Sequence, residues 1–204
     1  MIFACCTLAM SAQVTIPVKY QGAKPTISDF ASSFLSYRDA LDDEDCVDES
    51  TNAFRYAWEQ HRKGLPQEEG VTLTVDDKNG YILYTYKYEE DSVKDELRIE
   101  MCYWNESDGK HKLIAYNVAY FRNGESNPGQ FDGLTFYRYN NATKKMTMWD
   151  DVGFEVKFGT EEGNGFAYIT HALPRTGKDI VITTWYKAGK QVKTLKWNGR
   201  RFVK

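Results

Sequence analysis

The chain has 204 residues, of which 42% are hydrophobic and 27% are charged. This composition is typical of a globular protein, and the length suits one domain with a single sizeable core. The formal net charge is −3, and we interpret the basic residues as scattered singly among the acidic ones rather than clustered. Such a balance gives no electrostatic reason to expect nucleic acid or an anionic membrane surface as a partner.

The first twelve residues predict a signal segment. Met1–Met10 is almost wholly apolar, and Ser11–Gln13 supplies the small residues of a cleavage site. Residues 1–12 therefore predict an exported protein, periplasmic or secreted, although a buried N-terminal strand is the alternative. No other stretch approaches the ~20 apolar residues of a membrane-spanning helix, so we expect no membrane span.

Cysteines and histidines give little sign of a metal or redox centre. Cys46 and Cys102 could form a disulfide in an exported protein, but they are equally well explained as small buried hydrophobic residues. The histidines His61, His111 and His171 are far apart, and the chain has no Cys-x-x-Cys motif. We therefore predict no metal site and no cofactor.

Two helices are predicted between about residues 26 and 63. Thr26 is placed as the N-cap of the first, with Asp29 in its first turn, and the second runs from near Thr51 to Lys63 before Gly64. In each helix the apolar residues recur on one face, which we expect to pack on a sheet. These residues are Ile27, Phe30, Ala31, Phe34, Leu35 and Leu41 in the first helix, and Phe54, Ala57, Trp58 and His61 in the second.

Residues 71–204 predict β-structure. Apolar and polar residues alternate in Val71–Val75 and again in Leu97–Tyr103, where Glu100 is on the polar side, as in strands with one buried face. Asn-Gly and Asp-Gly pairs at residues 79–80 and 108–109 predict tight antiparallel turns. Lys112–Phe121 is apolar on both faces and predicts a central strand.

These elements together predict an α+β protein. We expect residues 13–204 to form a single domain, in which two N-terminal helices pack on a predominantly antiparallel, meander-like β-sheet. The intervals between strands are too irregular for a propeller or a solenoid.

Four phrases of the β portion resemble a group of uncharacterised exported proteins of Gram-negative bacteria. They are VDDKNGYI (residues 75–82), CYWNESDGKHKLIAYNV (102–118), LPRTGKDI (173–180) and LKWNGRRF (195–202). The resemblance implies export, in agreement with the signal segment. It implies no activity, because none is assigned to that group.

Motifs of the common enzyme classes are missing from the sequence. It has no G-x-S-x-G nucleophile motif and no glycine-rich phosphate loop before a helix, and both helices precede the main sheet, against the order of dinucleotide-binding folds. We therefore predict a non-catalytic binding or interaction protein. A hydrolase acting on an envelope or extracellular substrate is the alternative.

Two sets of residues are candidates for a site. Trp104, Trp149 and Trp185 offer flat rings on which a glycan or a cell-envelope component could stack, although they could equally fill the core. The polar residues His171, Arg175, Lys178 and Asp179 cluster on a segment containing proline and glycine, where a hydrolase could place its reactive groups. The sequence favours no oligomeric state.

Overall fold

The computed structural model describes residues 14–39, 49–128, 132–162 and 165–204. The predicted signal segment and Cys46 lie outside these residues, so the Cys46–Cys102 disulfide stays a prediction. Two helices are described, α1 (Ile27–Asp39) and α2 (Glu49–Arg62), and all the strands pair antiparallel. The predicted α+β class with predominantly antiparallel sheet is confirmed. Neither described helix is long and apolar enough to cross a membrane.

Most of the strands form one large antiparallel sheet. They are β1 (Thr15–Pro17), β2 (Val71–Asp76), β3 (Tyr81–Glu90), β4 (Val93–Asn105), β5 (His111–Arg122), β6 (Glu125–Ser126), β7 (Gly133–Asn140) and β8 (Lys145–Met148). Their order across the sheet is β1-β8-β7-β5-β4-β3-β2, and β6 pairs with the end of β5. Consecutive strands from β2 to β5 are therefore neighbours, while β1 forms the edge of the sheet opposite β2.

The remaining strands form a second antiparallel sheet, which the sequence alone does not separate from the first. They are β9 (Gly159–Glu162), β10 (Gly165–Ala172), β11 (Ile180–Tyr186), β12 (Gly189–Trp197) and β13 (Phe202–Val203), in the order β13-β12-β11-β10-β9. Because β1 pairs with β8, the chain leaving β8 has no free edge beside that strand, and its next strands belong to the second sheet.

A helical core lies between the helices and one face of the large sheet. The ring of Phe30 meets those of Tyr103 and Tyr139 at 5.6 and 5.1 Å, and Phe34 meets Tyr116 at 4.6 Å. Thr26 and Asp29 form the capping box that begins α1, because each side chain accepts a hydrogen bond from the other's backbone N–H. The capping box fixes where α1 begins. The aromatic residues of α1 lie on the side of the helix that faces the sheet.

An inter-sheet core lies on the opposite face of the large sheet and separates it from the second sheet. Its fully or nearly buried members come from both sheets and from the connection between them: Tyr81, Cys102, Trp104, Leu113, Ala115, Leu134, Phe136, Val152, Leu173, Ile180, Leu195 and Phe202. Both faces of the large sheet are thus covered. Burial raises the pKa of the Cys102 thiol well above its ordinary value, so this residue behaves as a small apolar side chain.

β5 is central in this arrangement. It lies between β4 and β7, and its residues from Lys112 to Ala119 are all buried. Alternate side chains of the strand enter the two cores, with Ile114 in the helical core and Leu113 in the inter-sheet core. The prediction of a central strand covered on both faces is confirmed.

Candidate ligand-binding groove

Trp185 lies at the centre of a row of three side chains across the second sheet. Tyr168 of β10 pairs with Trp185 of β11, and Trp185 pairs with Lys190 of β12, so the three side chains share one face. The Lys190 ammonium lies 5.0 Å from the centroid of the indole ring. At this distance the pair makes a cation–π contact.

The indole of Trp185 is held in place by two neighbouring side chains. Its Nε1 donates a hydrogen bond of 2.8 Å to the hydroxyl of Thr170, which is buried. The ring of Phe121, from β5, approaches it edge-on with centroids 6.4 Å apart. Trp185 therefore stays half-buried with a fixed orientation, while Tyr168 is 41% exposed beside it.

An open groove of about 750 Å³ runs past these aromatic rings. The turn at Gly124–Ser126 forms one wall, and the tip of the β11–β12 hairpin, with Tyr186 and Lys187, forms the other. Gly124 also lines a second depression, of about 610 Å³, that extends along the β3–β4 hairpin past Tyr88. The two depressions share Gly124, and the one beside Trp185 alone has the volume of a small-ligand site.

The three predicted tryptophans are not brought together. Trp104 is only 4% exposed, packs edge-on against Phe202 with centroids 5.1 Å apart, and donates from Nε1 to the carbonyl of Lys178. Its assignment to a ligand site is corrected, because a ring enclosed between two sheets offers no face to a ligand. Trp149 is half-buried, covers the Arg138 guanidinium at 4.9 Å and lies outside the groove.

The predicted polar segment is also dispersed. His171 is 5% exposed among aromatic rings, and burial lowers its pKa to about 4, so that the imidazole is neutral at pH 7. Arg175 forms an ion pair of 2.9 Å with Asp76. The Lys178 carbonyl accepts the Trp104 bond, and Asp179 accepts from the backbone N–H of Trp197. These four residues join neighbouring elements and do not converge on one point.

A buried carboxylate at Glu100 was missed by the sequence interpretation. Its oxygens accept from the Tyr81 hydroxyl at 2.8 Å, the Asn117 amide at 3.1 Å and the backbone N–H of Leu173 at 3.2 Å. Burial raises the pKa of this carboxyl above its ordinary value of 4.5. Because the donors come from β3, β5 and the segment after β10, Glu100 links the two sheets.

Glu106, Asp108 and His111 form a cluster whose ligand atoms lie within 4.8 Å of one another. Arg138 already binds Glu106 through two hydrogen bonds of 2.7 Å. His111 Nδ1 pairs with Asp108 at 2.6 Å, and its Nε2 pairs with the Asn140 amide at 3.1 Å. The Arg138 guanidinium and the Asn140 amide thus occupy the carboxylate and imidazole atoms that a metal ion or a catalytic nucleophile would need. We therefore assign the cluster to support of the β4–β5 hairpin and place no site there.

Residues 180–204 carry a net positive charge, contrary to the interpretation of basic residues scattered singly among the acidic ones. Residues 180–204 contain seven basic residues and no acidic one: Lys187, Lys190, Lys193, Lys196, Arg200, Arg201 and Lys204. Two of them, Lys187 and Lys190, line the groove. Comparison with protein-family models, with curated proteins and with solved structures finds no match for this chain.

Proposed function

We propose that the protein is an exported, non-catalytic binding protein whose groove beside Trp185 takes a glycan or another cell-envelope polymer. The row of Tyr168, Trp185 and Lys190 along an open groove carries this proposal. Aromatic rings present flat apolar faces against which the C–H faces of a sugar can pack. Export is supported by the apolar segment 1–12 and by the resemblance to exported proteins.

Preorganisation of Trp185 supports a binding role. The Thr170 hydrogen bond and the edge of Phe121 fix the indole before any ligand arrives, so binding does not have to order this side chain. Lys190 is long and exposed, and it can move aside or contact the ligand together with the ring. Polar groups at Glu125 and Lys187 lie on either side of the rings and can orient hydroxyl groups.

The chemistry of the groove favours binding over hydrolysis. A glycosidase of the common type uses two carboxyl groups that face each other, whereas Glu125 is the one carboxylate among the described residues that line the groove beside Trp185. The three carboxylates of the adjoining depression are in ion pairs: Glu89 with Lys94, Asp95 with Arg122, and Glu96 with Arg98 and Lys87. We therefore place no catalytic residue here.

A glycan array followed by calorimetric titration of the best binders tests the proposal. Replacing Trp185 with alanine is expected to weaken binding by at least about tenfold, as for the loss of one aromatic stacking contact. Trp185→Phe is expected to retain part of the affinity because it keeps an aromatic face. Circular dichroism of each variant establishes that the fold is kept.

Tyr56→Ala is the matched control. Tyr56 is an exposed aromatic residue of α2, at 48% exposure, and α2 packs on the opposite face of the large sheet. Its removal is expected to leave binding unchanged. If Trp185→Ala and Tyr56→Ala both bind as the parent does, or both lose binding, the ligand site would have to lie elsewhere on the molecule. A folded protein that binds no glycan or envelope polymer would refute the function.

A further inference from the structure

The C-terminal hairpin carries a charge opposite to that of the rest of the chain. Its seven basic residues stand against a formal net charge of −3 for the whole protein. Residues 1–179 hold the other 19 basic residues and all 29 acidic ones, a formal charge of −10. We call residues 180–204, which comprise β11, β12 and β13, the basic ribbon.

The charges of the basic ribbon are exposed and unpaired within the described part of the chain. All seven side chains are exposed, and none forms an ion pair with a described carboxylate. Four arginines outside the ribbon, in contrast, each pair with an aspartate or a glutamate: Arg98, Arg122, Arg138 and Arg175. The ribbon therefore keeps a positive potential that an anionic partner could neutralise.

The lysines follow the outer edge of the second sheet. β13 pairs only with Lys196 and Trp197, so the stretch of β12 from Gly189 to Leu195 has no described strand on its outer side. Lys190 and Lys196 are six residues apart in β12, so their side chains share the face of Trp185 and lie about 20 Å apart along the strand, whereas Lys193 points to the opposite face. Lys190 also lies on the Trp185 ring, and this contact joins the charged edge to the aromatic groove.

We propose that the ligand of the groove is an acidic polysaccharide, with carboxylate or sulfate groups that bind the lysines of the basic ribbon while sugar rings pack on Trp185 and Tyr168. This inference rests on the function proposed above and names its ligand class. A polysaccharide can carry one charge per few rings, which suits the spacing of about 20 Å between Lys190 and Lys196, whereas nucleic acid presents a phosphate about every 3.4 Å on each strand. Lysine, a point charge, predominates over arginine, the usual residue for bidentate phosphate recognition.

Lysines on an exposed edge strand also have a simpler role, because they prevent edge-to-edge association of sheets. The two roles predict different measurements. If the lysines only protect the edge, neutralising them promotes dimers or aggregates and leaves polymer binding unchanged. If they bind an acidic polymer, neutralising them weakens that binding in the monomeric protein.

The experiment compares polymers that differ in charge on the same backbone. Polygalacturonate and its fully methyl-esterified form are titrated with the whole protein, at low salt and at about 1 M NaCl, where charges are screened beyond about 3 Å. The variant is Lys190→Gln with Lys196→Gln, the two exposed lysines of β12 on the Trp185 face. Its matched control is Lys78→Gln with Lys145→Gln, which removes the same charge at exposed positions on the large-sheet side.

We expect polygalacturonate to bind more tightly than its ester, and high salt to remove this difference. The ribbon variant should lose at least about fivefold in affinity for polygalacturonate, with no change for the ester and no change in the control variant. Lys190→Arg with Lys196→Arg should restore affinity, because the charge is kept. Size-exclusion chromatography reports the oligomeric state of every variant.

Three outcomes overturn the inference. Equal binding of the two polymers, unaffected by the lysine changes, would leave the proposed function standing and remove the acidic ligand class. Single-stranded DNA that binds more tightly than polygalacturonate, with the same lysine dependence, would assign the ribbon to nucleic acid. Lysine variants that associate without any loss of binding would assign it to edge protection. Failure of every polymer to bind, by contrast, would count against the proposed function itself.

Discussion

Ile114 provides the most direct test of the architecture. It lies on β5, opposite Tyr103 of β4 and Tyr137 of β7, and its side chain is fully buried in the helical core. Truncation to alanine removes three carbon groups from a site enclosed by the sheet and both helices. The surrounding backbone is fixed by pairing on both sides of β5, so it can close only part of the resulting cavity.

The expected loss of stability follows from the number of groups removed. Three carbons at about 0.8 kcal/mol each give about 2.4 kcal/mol, and an unfilled cavity brings the loss for Ile114→Ala to about 3–4 kcal/mol. Ile114→Asp is expected to cost more, because it buries a carboxylate without a partner. That cost approaches the whole stability of an ordinary domain, about 5–15 kcal/mol, and should leave little folded protein at room temperature.

Urea denaturation followed by tryptophan fluorescence measures these losses. Thr72→Val is the control, since Thr72 is exposed on β2 and the new side chain keeps the β-branch. Its free energy of unfolding should stay within about 0.5 kcal/mol of the parent value. An Ile114→Asp protein as stable as the parent would mean that β5 is not the central strand, and the layered arrangement would be wrong.

Three further substitutions have definite expected results. Arg138→Met leaves the buried carboxylate of Glu106 unpaired and should cost about 2–4 kcal/mol in urea denaturation, part of which a second change, Glu106→Gln, should restore. Gly80→Ala should lower the melting temperature more than Gly109→Ala. Both glycines have positive φ, +67° and +65°, but only at position 80 does a new Cβ meet a tyrosine ring carbon at 2.7 Å. Burial raises the pKa of the Glu100 carboxyl in the folded state above its ordinary value of 4.5. The stability contributed by the protonated carboxyl is therefore complete below pH 4.5 and is lost as the pH rises through the folded-state pKa. Glu100→Gln should therefore gain stability relative to the parent between pH 4 and pH 8, as measured by urea denaturation at each pH.

Local features of the fold were predictable because they depend on nearby residues. The turns at Asn79–Gly80 and Asp108–Gly109 need positive φ at glycine, and the structure has it at both. The capping box of α1 is likewise a pattern of residues three apart. The pairing of β1 with β8 instead joins residues more than 120 apart in the chain, and alternation within a strand carries no information about such pairing or about which sheet a strand joins.

The same limit applies to the polar face of β4. Alternation in Leu97–Tyr103 predicted one buried face and one solvent-exposed face. Glu100, on the polar face, is nevertheless only 4% exposed because the second sheet covers it. Trp104 and Trp185 both lie in strands of alternating pattern, but the first is enclosed between the sheets and the second borders a groove. Distinguishing the buried tryptophan from the one at the groove requires knowing which surface packs against each strand. The positive charge of the ribbon, in contrast, can be read directly from the sequence, although the net charge of the whole chain does not reveal it.

Stability and binding should be separable in the ribbon, because few of its residues support the core. In β12 the residues from Gly189 to Thr194 are all exposed, and only Leu195 and Trp197 pack against the inter-sheet core. Exposed positions of this kind tolerate substitution with small changes in stability. The lysines can therefore be replaced without unfolding the sheet, and a change in polymer binding in those variants reports their charge. Trp185 differs, since its indole donates a hydrogen bond to the buried Thr170, and its variants need the accompanying measurement of fold.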